Sequence, residues 1–201
     1  SADAGDDAVT SIDGSSITIT PVGDYNGDIL VTITATDESD SFGSTDFTLT
    51  VLPVNDVPVI DTIEEQTTDE DETFTISLSA SDVDGDDLSF SASVNDNAVV
   101  SVEGALLTVQ PDEDYSNDIG GPIEVTAVVS DGILSAETTF TLNVLNLNDA
   151  PIMNQIADEI IEEDSSLIIT VSATDADGDV PVYSADAGDD AVTSIDGSSI
   201  T

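Results

Sequence analysis

No lysine, arginine or histidine occurs anywhere in this sequence, against 44 aspartates and glutamates, so its formal net charge is −44. With no cationic side chain to release counterions, the chain cannot grip nucleic acid through its phosphates, nor hold an anionic lipid surface through a polybasic contact. Its partners are therefore cations or neutral surfaces. Cysteine is absent as well, which excludes disulfides and thiolate metal sites, and without lysine no lysine-based isopeptide crosslink can form. Metal is the staple that remains. Tryptophan is missing, and aromatic residues make up only 4% of the chain, which argues against an aromatic-lined catalytic cleft of the glycosidase kind. No apolar run approaches the roughly 18 residues of a membrane span, and no secretory leader is visible. Both ends fall inside strand-like runs, so the expectation is a window from a longer chain.

What is present is patterned. An acidic chain with few apolar residues stays disordered, but here 39% of residues are hydrophobic, and Val, Ile and Leu alternate with Thr and Ser. Phe74, Ile76, Leu78 and Ala80 share one face; Ile123, Val125, Ala127 and Val129 repeat the pattern, as do Phe140, Leu142 and Val144.

The sequence also repeats itself. Residues 1–18 are identical to residues 184–201, an offset of 183. Residues 55–108 align without a gap on 148–201 at an offset of 93, with 21 identities in 54 pairs. Neighbouring units are thus about 93 and 90 residues long, the extra three lying near Ile119-Gly120-Gly121. The chain divides into the C-terminal part of one repeat (1–54), a complete repeat (55–147) and the N-terminal part of a third (148–201). Mutual completion of the two partial repeats between chains is disfavoured, because the two identical 18-residue copies would compete for one strand position.

Turn residues break the complete repeat into seven strand-like runs, at 59–63, 73–80, 88–92, 98–102, 105–109, 122–130 and 136–145. Seven short strands without a helical period predict an all-β immunoglobulin-like sandwich, with a seven-strand barrel as the alternative. Tyr25 and Tyr115 precede the sixth strand, where a tyrosine hydroxyl can fix the backbone of such a sandwich.

In that topology the acidic turns gather at the poles. The Asp82-Val83-Asp84-Gly85-Asp86-Asp87 turn, the last hairpin turn with Asp131 (Asp37 in the first repeat) and the linker Asn55-Asp56-Val57-Pro58 share one end. The turns with Glu70-Asp71 and Asp112-Glu113-Asp114 share the other, next to Asn146-Leu147-Asn148-Asp149. End-to-end stacking brings both sets together. Calcium takes six to eight oxygen ligands at about 2.3–2.6 Å, whereas zinc and copper favour the histidine and cysteine that are missing here.

Ala80-Ser81-Asp82-Val83-Asp84-Gly85 and Ala173-Thr174-Asp175-Ala176-Asp177-Gly178 resemble the Ala-x-Asp-x-Asp motif of cadherin repeats. Val54-Asn55-Asp56-Val57-Pro58 and Leu147-Asn148-Asp149-Ala150-Pro151 resemble the linker between such repeats. The chain as a whole is similar to the bacterial cadherin-like tandem repeats of giant secreted adhesins, down to the Asp24-Tyr25-Asn26-Gly27 turn. That resemblance implies calcium at each junction and an extracellular, bacterial cell-surface location. At one junction the ligands would be Glu70, Asp71, Asp114, Asn148, Asp149, Asp175, Asp177 and Asp179. At the preceding one they would be Asp24, Asn55, Asp56, Asp82, Asp84 and Asp86, with the hairpin Asp131. Asp37, Glu163 and Asp164 would serve the junctions beyond. Two features depart from the animal pattern: the linker lacks its longer Asp-rich form, and an Asp-Tyr turn replaces the Asp-x-Glu turn.

Other readings of the same residues stay open. Acidic loops are commonly just solvated, the charge as a whole could be a salt adaptation, and Asn before Asp-x-Pro could simply start a turn. An EF-hand does not fit, because glycine falls fourth from Asp82 instead of sixth and the twelfth residue is Ser93. Catalysis by paired carboxylates needs one acid held protonated in an apolar pocket, and these acids sit in turns. The expectation is a non-enzymatic, calcium-stiffened spacer whose partners are calcium and neighbouring repeats, with binding of surface carbohydrate or of other copies as the alternative.

Overall fold

The computed structural model describes residues 1–188 and 195–200. Among the described residues the regular secondary structure is β apart from a 3-10 turn at Gly5–Asp7 and one short helix. Among the described residues no helix is long and apolar enough to cross a membrane.

The first repeat contributes β1 (Ala2–Asp3), β2 (Ala8–Asp13), β3 (Ser16–Pro21), β4 (Gly27–Thr36) and β5 (Phe42–Val51). β4 and β5 form a long antiparallel hairpin from Gly27↔Val51 to Thr36↔Phe42, and β1 pairs with β4. Ala4, Ala8, Ile29 and Val31 are buried there, with Ile19, Tyr25, Ile33, Leu49 and Val51 packed against them. β2 and β3 make a second hairpin.

The complete repeat holds β6 (Val59–Ile60), β7 (Gln66–Asp69), β8 (Phe74–Ser77), β9 (Ala80–Ser81), β10 (Ser89–Val94), β11 (Ala98–Glu103), β12 (Leu106–Pro111), β13 (Ile123–Ser130) and β14 (Ser135–Leu145), with a one-turn helix α1 (Asn117–Gly120). One sheet runs β10-β13-β14-β7 and another β11-β12-β8. Along β13 and β14 the alternating residues Ile123, Val125, Ala127, Val129, Leu142 and Val144 are at most 1% exposed, as the period-two pattern predicts. The rings of Phe74 on β8 and Phe140 on β14 lie 6.2 Å apart, one from each sheet. The all-β, immunoglobulin-like class expected from the strand pattern is the class observed.

Two of the seven expected runs differ from the strands observed. The run at 73–80 is two strands: β8 pairs with β12, while β9 pairs with β6 after an interruption at Leu78-Ser79. The first run is shorter than expected, and the chain then forms β7, which lies parallel to β14 with Leu142 opposite Gln66. β7 is Gln-Thr-Thr-Asp, so it has no apolar alternation to reveal it; its strand character comes from the edge of β14 that it covers. The extra Ile119-Gly120-Gly121 contributes the end of α1. Gly121 closes the helix at φ 84, and a Cβ on Gly120 would lie 2.7 Å from the Tyr115 ring, so both positions demand glycine. The Tyr115 hydroxyl donates to Gly121 O at 2.6 Å and that of Tyr25 to Asp28 O at 3.2 Å, so both tyrosines fix the entry to the following strand.

The third repeat is present as β15 (Ile152–Met153), β16 (Ile169–Thr170), β17 (Ala173–Thr174), β18 (Ile195–Asp196) and β19 (Ser199–Ile200). Its registers copy the complete repeat at the same offset of 93. Ile152↔Thr174 matches Val59↔Ser81, and Ile169↔Ile200 matches Ile76↔Leu107.

By packing, the chain falls into two compact units. The first comprises Ser1–Asp61, Leu78–Ser91 and Ala127–Thr138; the second comprises Thr62–Ser77, Ala92–Thr126 and Thr139–Thr201. Each therefore contains one linker together with acidic turns from both sides of it.

Leu142 is fully buried and Val99 is 68% exposed. Leu142→Ala is expected to lower unfolding free energy by about 2–5 kcal/mol, and Val99→Ala by no more than about 0.5 kcal/mol. Urea denaturation of the two variants checks this; similar losses would contradict the assignment of the inward face.

Candidate metal centres

In the first unit the linker is pinned by Pro58, whose side chain is buried, and Val57 before it is biased to extended backbone. That presents Asn55 and Asp56 to the Asp82–Asp86 turn. The Asp56 amide donates to Asp84 Oδ2 at 2.8 Å. The Asn55 side chain donates to Asp56 O and to Asp131 Oδ2, both at 2.9 Å. Within the turn, Asp82 Oδ1 accepts the Asp84 amide at 2.8 Å, and Gly85 adopts φ 78, a left-handed conformation that favours glycine. Carboxylate oxygens of Asp82, Asp84 and Asp86 lie within 4.8 Å of one another. Asp82 Oδ2 is buried and has no hydrogen-bond partner.

The second unit repeats the arrangement around Asp149. Its amide donates to Asp177 Oδ2 at 2.6 Å, and the Asn148 side chain donates to Asp149 O at 2.8 Å. Asn146 adds a bond to Asp177 Oδ1 at 2.7 Å. From the other side comes Glu70, only 2% exposed, whose amide donates to Leu145 O and whose Oε1 accepts the Leu147 amide. Asp71 and Asp114 stand at φ 61 and 56, a left-handed conformation that aspartate tolerates better than most residues, and the Asp114 amide donates to Asp71 Oδ1 at 3.2 Å. Two carboxylate groups result, Glu70–Asp149–Asp177 and Asp71–Asp114–Asp149, each with oxygens within 4.8 Å. Asp149 belongs to both, and its Oδ2 is buried without a partner.

The electrostatics follow from this crowding. Burial and then the charges of Asp24, Asp84 and Asp82 raise the pKa of Asp56 above the ordinary carboxylate range. Asp86 is raised by burial and then chiefly by Asp82 and Asp84. Asp149 is raised by burial, then by Asp114, Asp177, Asp71 and Asp175. Asp131 moves the other way, because Asn55 and the Ile133 and Leu134 amides, the latter two at 2.6 Å, all donate to its carboxylate.

The eighteen expected ligands are therefore distributed unevenly. Glu70, Asp71, Asp114, Asp149 and Asp177 converge, as do Asp82, Asp84 and Asp86. Asp24 lines a cleft of about 300 Å³ with Asp56 and Asp84. Asp175 lines another with Asp71, Asp114 and Asp149. Asn55 and Asn148 use their side-chain amides to fix the linker backbone, and Asp179 donates its amide to Asp175 Oδ1 at 3.0 Å. Asp131 holds Asn55. Asp37 accepts the amides of Ser39 and Ser41 in its own hairpin turn, and Glu163 and Asp164 lie exposed in theirs; among the described residues none of the three joins a carboxylate group. Asn146 was not among the expected residues. Its counterpart in the first linker is Pro53, so the repeat comparison offered no signal for it.

The family model of the cadherin-like domain matches residues 54–145. No curated protein matches the chain. Among solved structures, an endo-fucoidan hydrolase of glycoside hydrolase family 107 aligns at 18% identity and a TM-score of 0.33, covering 70% of this chain. The chain spans only 22% of that protein's length. Drosophila N-cadherin EC1-3 aligns at 12% identity and a TM-score of 0.39, covering 69% of this chain and 51% of that one. Titin domain M7 aligns at 13% identity and a TM-score of 0.32, covering 46% of this chain and 98% of that one.

The raised carboxylates set a pH dependence. A group whose folded pKa exceeds its unfolded value takes up its proton sooner when folded, so stability rises as pH falls towards that folded value. Asp56, Asp86 and Asp149 act in this sense. Asp131, with its lowered pKa, contributes stability above the ordinary carboxylate range that is lost as pH falls through its folded value. With divalent cations chelated, the melting temperature is expected to climb from neutral to mildly acid pH and fall at stronger acid. Calorimetry across that range checks it; a steady decline from neutral pH downwards would contradict it.

Proposed function

We propose that this chain is a segment of an extracellular, non-catalytic rod in which successive cadherin-like repeats are stiffened by calcium at their linkers, serving as a spacer in a bacterial surface adhesin or fibre. The observation that carries the reading is the pair of buried, unpartnered oxygens, Asp82 Oδ2 and Asp149 Oδ2, at corresponding linkers of a chain with no cationic side chain. A buried carboxylate oxygen without a partner is costly, and a hard cation is the partner that oxygen-only ligands select.

At the second linker, Glu70, Asp149 and Asp177 would hold one ion and Asp71, Asp114 and Asp149 another, with Asp149 shared. Asp82, Asp84 and Asp86 would hold an ion at the first. Bound calcium supplies positive charge that offsets the carboxylate repulsion and ties the linker to the turns on both sides of it. The repeats at 1–54, 55–147 and 148–201 would then be the mechanical units, with adhesion itself residing elsewhere in the assembly.

Calcium at about 100 times its dissociation constant adds roughly 2.7 kcal/mol per site. Titrating calcium at constant ionic strength is therefore expected to raise the melting temperature and lengthen the particle in small-angle scattering, with sodium at matched ionic strength doing neither. Asp175→Ala with Asp177→Ala is expected to shift the calcium midpoint at least several-fold. Equal responses to sodium and calcium would sink the reading.

A further inference from the structure

We propose that Asn26 is a site of spontaneous deamidation, in which its side-chain amide is lost through ring closure onto the backbone nitrogen of Gly27. The chemistry balances without any oxidant or co-reactant beyond water. The Gly27 nitrogen, giving up its proton to solvent, attacks Asn26 Cγ; the Cγ–Nδ2 bond breaks and ammonia leaves. Water then opens the cyclic imide at either carbonyl, giving aspartate or isoaspartate.

Three observations single out this asparagine. It is exposed, and among the described residues its side chain has no hydrogen-bond partner to hold the amide away from the backbone. Glycine follows it, so the residue that carries the attacking nitrogen adds no side chain of its own to shield it. The other asparagines differ on one count or more. Asn117 donates to Asn143 Oδ1 at 2.8 Å and accepts the Val144 amide at 3.0 Å. Asn55, Asn146, Asn148 and Asn154 each donate a side-chain hydrogen bond, and Asn97 is followed by alanine.

Gly27 cannot easily be replaced to remove the liability. It stands at φ 131, and a Cβ there would lie 3.3 Å from the Tyr25 hydroxyl, the group that fixes the entry to β4. The complete repeat has Ser116 at the corresponding place and turns the residues that follow into α1. The first repeat keeps Asn-Gly beside Asp24, in the cleft that Asp56 and Asp84 also line. Deamidation adds a further negative charge to that cleft, and the isoaspartyl product lengthens the backbone between Tyr25 and Gly27.

The test is to age the folded chain in warm neutral buffer, digest it under acid conditions, and locate by peptide mass spectrometry the increment of an amide-to-acid exchange, with isoaspartate confirmed by a methyltransferase assay. The same chain held in guanidinium and an Asn26→Ser variant run in parallel. The expected result is progressive conversion at Asn26 in the folded chain, with Asn55 and Asn117 unchanged and the Asn26→Ser variant silent at that position. An intact Asn26 amide in the aged folded chain, whatever the guanidinium sample shows, overturns the proposal, as does equal conversion at Asn55 and Asn117.

Discussion

Everything about this chain depends on one electrostatic constraint: carboxylates must be packed close together with no cationic side chain to answer them. The fold meets the constraint with the donors it owns, which are backbone amides and asparagine side chains. Asp84 is met by the Asp56 amide, Asp177 by the Asp149 amide and by Asn146, and Asp131 by Asn55 and two turn amides. Neutral donors supply geometry but only partial charge, so each one fixes an acid in place without cancelling it. The acids that remain underserved are those nearest the linkers, where Asp56, Asp86 and Asp149 all hold their protons more tightly than free carboxylates do.

That the arrangement is specified, and not an accident of acidic composition, follows from its recurrence. The bond from Asp56 N to Asp84 reappears as Asp149 N to Asp177, and the bond from Asn55 to Asp56 O as Asn148 to Asp149 O. The Gly85 and Gly178 amides both donate to the aspartate three residues before, at 3.3 Å. The linker and acidic-turn residues Asn55, Asp56, Pro58, Glu70, Asp71, Asp82, Asp84, Gly85 and Asp86 are all identical in the following repeat, while strand positions such as Phe74 and Leu78 exchange for Leu167 and Val171. The core requires only apolar side chains of suitable volume, whereas the linker requires particular oxygens at particular places.

This difference also decides what could be read without coordinates. β13 and β14 declare themselves because Ile123, Val125, Val129, Leu142 and Val144 alternate with polar residues, and a one-residue slip would expose all of them. The pole assignment followed from strand count, and it brought together Glu70, Asp71, Asp114, Asp149 and Asp177. β7 could not be seen, since Gln66-Thr67-Thr68-Asp69 gains its strand geometry from pairing with β14 and carries no pattern of its own. α1 was equally hidden: three inserted residues were evident, but not that Gly120 makes room for the Tyr115 ring. The roles of Asp131 and Asn146 lie deeper still, because ligand and clamp use the same side chains and only placement distinguishes them.

The two linkers are consequently variants of one device. The first carries Pro53 where the second carries Asn146, so rigid backbone in one place stands against a hydrogen bond to Asp177 in the other. The turns before them differ in the same way: Tyr25 anchors directly to Asp28 O, while Tyr115 anchors across an added helical turn to Gly121 O. In both cases the tyrosine hydroxyl fixes the strand entry next to an aspartate held at positive φ, Asp24 or Asp114. Alternate repeats can therefore diverge in length without disturbing the acids, because each tyrosine bond closes locally, between the aspartate turn and the strand that follows it.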